Sequence, residues 1–579
     1  MGPKPRFAGW IVVVGCPAVS HRNTPGRSRP LPRFLAVSLL AGALIGCTDP
    51  NTGFDAPVDN LFFPEGLALD PRTPPGEASR YLFVSNGNND LSFNGGSVSV
   101  IDLEAFFEAW SDVESGADGE SELTYSPYAF CEGPGERCLL DVGSKTTDDF
   151  PCRRLGLLPQ VVECDEEPFV VDGVRLGDFS THIAASLEPS GTPRLWVPVR
   201  GDPSVTYIDV KEPWPEAPDL DCGQARGDGE ALDESRCGDD FRLRNLRNDG
   251  SLDELPREPF NVHVSEGDGY RYAFVAHSGG PSVSVIDLDG LRGGDGRPAI
   301  VDIANVYNPT AGTVFTGGFG LATRPCGACG DPEDDTPGFN TPAVTQECTR
   351  PLVYSSLRFQ LLATSFTASG IEEDDLPAGA TQRDGCEDDQ GNFLGPYCAS
   401  PEEVGNECAL VCEPQVRNIV RFPVGGVDPL AATSSEALGD VQFGDACGDE
   451  LFVLQTNPGA LLRLDTSIEN GEPLDIPAGR PIEVCDQPSR FQVWEEEGLA
   501  FVACFQAAYV YVVDLRAEQV VDTIITGTGP HDVVLDEVRG MLYVANLLEG
   551  SVSVIDVGLS RPTRFKEVAR IGLQEPFSQ

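Results

Sequence analysis

Positive charge is scarce in this sequence of 579 residues: 40 lysines and arginines stand against 91 aspartates and glutamates, a formal net charge of −51. So acidic a chain repels nucleic-acid phosphates and anionic lipid headgroups, which excludes nucleic acid as a partner. The acids are spread along the chain, where their first effect is solubility. Methionine is nearly absent, with two residues, and no long run of Ala, Leu, Glu and Lys recurs at helical spacing. No apolar run reaches the ~18 residues that a membrane-spanning helix needs. A GxSxG elbow, an HExxH pair, a phosphate-binding loop and an EF-hand loop are also missing, so no catalytic residue is nominated. What the chain has instead is 63 glycines and 48 prolines, which suit many short strands joined by turns.

The N-terminus reads as an address. Arg29 and Arg33 form a positive segment, and Phe34 to Ile45 form an apolar run too short to span a bilayer. The run ends in Leu44-Ile45-Gly46-Cys47, which resembles the lipobox of bacterial lipoproteins. That resemblance implies cleavage before Cys47, diacylglycerol on its thiol and acylation of its new amine, so that several acyl chains hold the protein on a membrane. Thr48 follows where an Asp would retain a lipoprotein at the inner membrane; by resemblance to the enteric sorting rule, this favours the outer one. Residues 1–46 are thus read as a signal peptide and 47–59 as the lipidated cysteine with a linker. A second apolar patch, Trp10 to Val14 before Cys16, makes residues 1–28 fit a misassigned gene start. Removing 1–46, which holds six basic residues and no acid, takes the net charge to −57. The expected location is the cell envelope.

A repeat fills most of the chain beyond residue 60. An apolar-aromatic-Val-small-polar segment precedes alternating apolar residues that close on Asp. It occurs as Leu82-Phe83-Val84-Ser85-Asn86 with Ser97 to Asp102, and as Leu195-Trp196-Val197 with Ser204 to Asp209. It returns as Ala273-Phe274-Val275 with Ser282 to Asp287, and as Leu451-Phe452-Val453 with Ala460 to Asp465. The last two are Ala500-Phe501-Val502 with Tyr509 to Asp514, and Leu542-Tyr543-Val544 with Ser551 to Asp556. From central Val to closing Asp the distance is 12 residues in five of six copies; the first, at 18, carries an insertion within Gly87 to Gly96. Each copy reads as a β-hairpin. A lead strand precedes it, as in Phe63 to Ala68, Thr181 to Ala184, Phe260 to Val264 and Pro530 to Val534. Another strand comes after it, as in Gln519 to Ile525. Four antiparallel strands make a blade, and a blade buries both faces only between neighbours in a closed ring.

Leu542-Tyr543-Val544-Ala545-Asn546 with Gly550 to Asp556 resembles the YVTN family of β-propeller repeats, and Asp514 to Asp556 spans one 42-residue period. The resemblance implies an all-β fold, a single β-propeller over residues 60–579. A degenerate copy near Gly318 to Ala322 and Leu352 to Ser355, completed near Asn418 to Phe422, brings six clear copies to seven blades, with six and eight left open. Insertions are expected near 103–177, 211–258 and 326–448.

Apart from Cys16 and Cys47, sixteen cysteines remain, an even number in a chain bound for an oxidising compartment, and disulfides are the expectation. Cys222 with Cys237 is one short-range pair, and Cys485 with Cys504 is a structural bridge within blade six. Cys326-Gly327-Ala328-Cys329 lacks the His that c-type haem attachment requires and reads as structural.

Three histidines, His182, His263 and His531, sit at similar places in lead strands, which are innermost in a propeller. Converging at the channel mouth they would bind a transition metal. The plainer expectation is that they hydrogen-bond across the mouth, near Glu65 or Gly66 of the first blade. His277 is read as a turn residue, and the closing aspartates as acceptors for backbone N–H groups. No cofactor is predicted, although acidic segments such as Asp331 to Asp335 and Glu372 to Asp375 offer oxygen ligands to calcium. The function expected is a lipid-anchored binding or interaction scaffold for an unidentified protein or small molecule. The alternative is a propeller enzyme or metal protein, lactonase-like or redox, acting at the channel mouth.

Overall fold

The computed structural model describes residues 54–115, 151–155, 158–223, 236–245, 255–267, 270–289, 297–305, 317–325, 351–357, 360–368, 412–420, 438–444, 447–469 and 472–572. Among the described residues, seven sheets of four or more strands follow one another in chain order. The first takes Pro64–Leu69, Tyr81–Asn86, Ser97–Asp102 and Val170–Arg175. The second takes Ala184–Leu187, Pro193–Val199, Ser204–Lys211 and Asp219–Asp221, with Arg242–Leu243 added beside its third strand. Sheet three is Pro259–Gly267, Tyr270–His277, Ser282–Asp287 and Ala299–Asn305, and sheet four Gly318–Thr323, Leu352–Leu357, Gln360–Ala368 and Cys412–Val420. Sheet five is Leu438–Phe443, Glu450–Thr456, Gly459–Asp465 and Ile476–Glu483. Pro488–Trp494, Leu499–Cys504, Tyr509–Asp514 and Gln519–Ile525 make the sixth; Pro530–Asp536, Met541–Asn546, Ser551–Asp556 and Lys566–Ile571 begin the seventh. Within each sheet these strands pair antiparallel.

This is an all-β propeller. An apolar cluster fills each gap between successive sheets, and one of them joins Leu82, Val84 and Ile101 of the first sheet to Tyr543, Ala545 and Val554 of the seventh, which closes the ring. Because both faces of a sheet are covered, even the alternating Ser-Val-Ser-Val-Ile-Asp strands Ser97–Asp102 and Ser551–Asp556 are buried at every position. Their serines then need partners, and the residue ending the previous strand supplies them. Asn86 Nδ2 donates to Ser97 Oγ at 3.0 Å, and Asn546 Nδ2 donates to Ser551 and Ser553 at 3.1 and 2.8 Å. In sheet three His277 does the same work, its Nε2 sharing a hydrogen bond with Ser284 Oγ at 2.8 Å. His277 is therefore a buried strand-end latch and not a turn residue.

The closing aspartates behave as N–H acceptors at most copies: Asp287, Asp465, Asp514 and Asp556 each accept from a backbone N–H two residues on. Asp102 accepts from Glu104 N and Ala105 N, capping the helix Leu103–Ser115. Asp209 instead takes the Arg194 guanidinium, Nε to Oδ1 at 2.7 Å.

The insertions are shorter than their sequence suggests. Val170–Arg175, within the expected 103–177 segment, is the outer strand of the first sheet, and Asp219–Asp221 serves the second. Asp172-Gly173 breaks the apolar alternation of the former, and the latter is only three residues long, so neither carries a period-two signal. Likewise the 326–448 segment contains three strands of sheet four and the first strand of sheet five. From the first insertion, Leu158–Cys164 pairs in parallel with Lys566–Ile571 on the outside of the seventh sheet, and Cys152–Leu155 pairs with it in turn. A Cys152–Cys164 disulfide joins the two. This strap covers the junction where the ring closes.

His277 allows a direct check of the latch. His277→Ala should lower unfolding free energy in urea by about 1–3 kcal/mol, since Ser284 loses its buried partner. His277→Asn, which restores the arrangement of Asn86 and Asn546, should stay within about 1 kcal/mol of wild type.

Candidate functional site

Lead strands line the axis, and their first residues set its shape. A proline opens several of them, at Pro64, Pro259, Pro488 and Pro530, followed by a register shift that turns the next side chains toward the neighbouring sheet. Gly66 permits a close approach: a Cβ there would lie 2.8 Å from Ile183 N and 2.9 Å from His182 C.

The three expected histidines lie in this layer, and each bonds to the lead segment of the next sheet. His263 Nε2 meets Thr323 Oγ1 at 2.9 Å, and His531 Nδ1 meets Glu65 O at 2.9 Å. His182 is hydrogen-bonded to the Val262 backbone. His182 and His263 border one axial cavity of about 640 Å³, whereas His531 borders a smaller one of about 230 Å³. Among the described residues, no group of three His, Cys, Asp or Glu side chains is placed to hold a metal ion. The histidines thus share a layer without forming a ligand set.

Between the two cavities stands a group that residue-type reasoning missed. Arg490, 6% exposed, borders both, as does Asp440. Its Nη1 lies 3.7 Å from Asp440 Oδ1 and its Nε 3.7 Å from Asp532 Oδ1. Backbone groups hold the carboxylates in place: Leu67 N donates to Asp532 Oδ2 at 2.9 Å, and Phe491 N to Asp440 Oδ2 at 3.5 Å. Aligning lead strands on their proline would have found the position, because Asn261, Arg490 and Asp532 each stand two residues after it.

Burial governs the titration of this layer. It pushes Asp532 up to about 6 against the pull of Arg490, and raises Asp440 as well. Glu65, whose carboxylate accepts a hydrogen bond from Asn89, is lifted by burial to about 7. His263 is lowered to about 4 by burial, and His531 to about 4 by burial and then Arg490. His182 falls well below 6.5 through burial and then the Arg490 charge. At neutral pH the imidazoles are therefore uncharged.

Another cavity, of about 920 Å³, lies between the outer parts of sheets one and two around Trp214. Its cations are already engaged, Arg72 by Asp70, Arg194 by Asp209 and Lys211 by Asp221. The axial layer is the candidate site. Of the remaining expected residues, Cys485 and Cys504 form a disulfide with Cα atoms 5.8 Å apart. Cys485 lies in the connection before Pro488–Trp494, not on the lead strand itself, so the bridge ties that connection to the second strand of sheet six. Cys222 and Cys237 are also bonded. Cys47, the Cys326–Cys329 motif and the acidic segments near 331–335 and 372–375 fall outside the described residues. Among the described residues no helix is long and apolar enough to cross a membrane.

Solved structures similar to this chain include hydrazine synthase from Kuenenia stuttgartiensis, at 13% identity over 86% of this chain and 96% of that one, with a TM-score of 0.40. Periplasmic gluconolactonase from Pseudomonas aeruginosa matches at 14% identity over 81% and 87%, with a TM-score of 0.39. AztD from Citrobacter koseri matches at 13% over 71% and 91%, with a TM-score of 0.34. No family model matches the chain, and no curated protein matches it. The propeller and its axial site accordingly rest on this chain's own sheets and side chains.

The buried Glu65 carboxyl makes a signed prediction. Its folded value lies above its ordinary 4.5, so between 4.5 and about 7 the folded state keeps a proton that the unfolded chain releases. That contribution is present at the acid end and lost as pH rises through the folded value. Glu65→Gln keeps an acceptor for Asn89 and removes the titration. It should be more stable than wild type at pH 8, by up to about 3 kcal/mol, with the gap closing by pH 4.5 in urea denaturation. Parallel profiles for the two proteins would refute a buried Glu65 charge.

Proposed function

We propose that this chain is a seven-bladed, YVTN-type propeller, lipid-anchored through Cys47 in the cell envelope, that binds a small molecule in its axial cavity. The observation that carries the reading is the cavity of about 640 Å³, walled by Arg490, Asp440, Asp532, His182 and His263. Its volume falls in the range of small-molecule sites, and a few polar groups converge on it from different blades. The lipobox-like Leu44 to Cys47 supports the anchor, and the disulfides support an oxidising compartment. Among the described residues the ligating groups are dispersed, which favours small-molecule binding over metal chemistry at this mouth.

Gln492 lines the cavity and is half-buried, so Gln492→Trp should fill it without opening the ring. Purified full-length protein, dialysed against a small-molecule extract and analysed by mass spectrometry, should retain one compound class that Gln492→Trp loses. Equal retention by both proteins, with equal melting temperatures, would remove the axial cavity as the binding site. For the anchor, Cys47→Ser should move the protein from the membrane to the soluble fraction; unchanged membrane recovery would overturn it.

A further inference from the structure

Arg490 is the anomaly of the axis. A buried guanidinium has five N–H groups to satisfy, yet its two carboxylate neighbours stand at 3.7 Å, beyond hydrogen-bond reach, and its Nη2 has no hydrogen-bond partner. Leaving such a donor unmet costs free energy. His182, on the wall of the same larger cavity, presents the complementary deficit. Its Nδ1 is without a partner while the ring is held at the Val262 backbone. In the neutral ring, the nitrogen left over from that bond is an acceptor.

Around Arg490 the cavity wall therefore holds one unfilled donor and two carboxylates that accept, with an unfilled imidazole nitrogen at His182; Arg324, Glu266, Glu495 and Glu537 line the same cavity. An anionic ligand would answer Arg490 but set its charge against Asp440 and Asp532, in a cavity that Glu266, Glu495 and Glu537 also line. A cationic ligand would answer the carboxylates but face the guanidinium. A hydroxyl group both donates and accepts, carries no charge, and suits each of these neighbours. Phe443 adds an apolar edge to the same wall.

We propose that the axial cavity takes a neutral, polyhydroxylated ligand of sugar size. One hydroxyl oxygen accepts from Arg490, and adjacent hydroxyls donate to Asp440, Asp532 and His182 Nδ1. Arg490 Nη2 and His182 Nδ1 are sealed in the ligand-free ring, so binding includes a rotation of these side chains into the cavity they border. The inference rests on the axial-cavity binding proposed for this chain and assigns its ligand class.

The test uses full-length protein and sugars matched in size but not in charge: glucose, galactose and inositol as neutral probes, glucuronate as anion, glucosamine as cation. Calorimetry and melting temperature should show at least one neutral probe binding tenfold or more tighter than either charged one. Arg490→Gln should weaken that binding at least tenfold. Should Arg490→Gln fold poorly, Gln492→Trp serves as the second variant and should abolish the binding. Tightest binding by glucuronate or glucosamine, or full affinity in a folded Arg490→Gln, overturns the ligand class while leaving the cavity reading intact. Failure of every sugar, with Gln492→Trp still losing some other retained compound, does the same. Binding that survives Gln492→Trp unchanged removes the cavity reading itself.

Discussion

The ring depends on how its innermost strands are satisfied. A lead strand has a sheet partner on one side only; the other edge faces the axis and the next lead strand, where its N–H and C=O groups still need partners. Side chains from the neighbouring lead strand provide them. Thr181 Oγ1 donates to Phe260 O at 2.7 Å, Asn261 Nδ2 to Phe319 O at 3.1 Å, and Ser489 Oγ to Pro530 O at 3.0 Å. Gln442 Oε1 accepts from Val493 N at 2.8 Å, and Asp532 closes the circle by accepting from Leu67 N. The axis is consequently polar because the fold requires it, before any ligand is considered. Several of the polar residues there, including His531, are explained by this stitching alone. The exceptions are the groups that remain unmet, and they are what turns a structural layer into a candidate site.

The same accounting explains how much could be read from the sequence. The hairpins were legible because two constraints act at once: β-branched and aromatic residues pack between blades, and a closing Asp accepts the N–H groups of the following turn. Of the outer strands, Gln519–Ile525 was legible and most others were not. Val170–Arg175 carries Asp172 and Gly173 in its middle, and its sheet position is set by pairing with Ser97–Asp102, which the sequence pattern does not announce. The fourth sheet was found only as fragments, since Gln360–Ala368 follows Leu352–Leu357 after two residues and has no closing Asp at the usual distance.

For the site, residue type was a poor guide and position a good one. Histidines drew notice because imidazoles bind metals, yet what places them at the axis is the local geometry of a lead strand. Arg490 and Asp532 occupy that geometry equally, each two residues after a proline whose register shift redirects the chain. His277 makes the converse point. It is a histidine with no axial role, fitted into the place where other copies use Asn to hold a buried serine.

A guanidinium at the centre of so acidic a protein also follows from electrostatics. The summed field of a chain at −51 favours a cation at its axis, and Asp440 and Asp532 add a local attraction. Neither effect accounts for the geometry, because a charge drawn in for stability alone would close to hydrogen-bond distance on its carboxylates. The carboxylates are instead held back by Leu67 N and Phe491 N, so the backbone of the ring sets the gap around Arg490. Keeping that gap means accepting weaker ion pairs than the same three side chains would make if free to move. A ring that holds its charges slightly apart leaves Arg490 Nη2 without a partner, and it is this unmet donor, not the ion pairs, that the proposed ligand would satisfy.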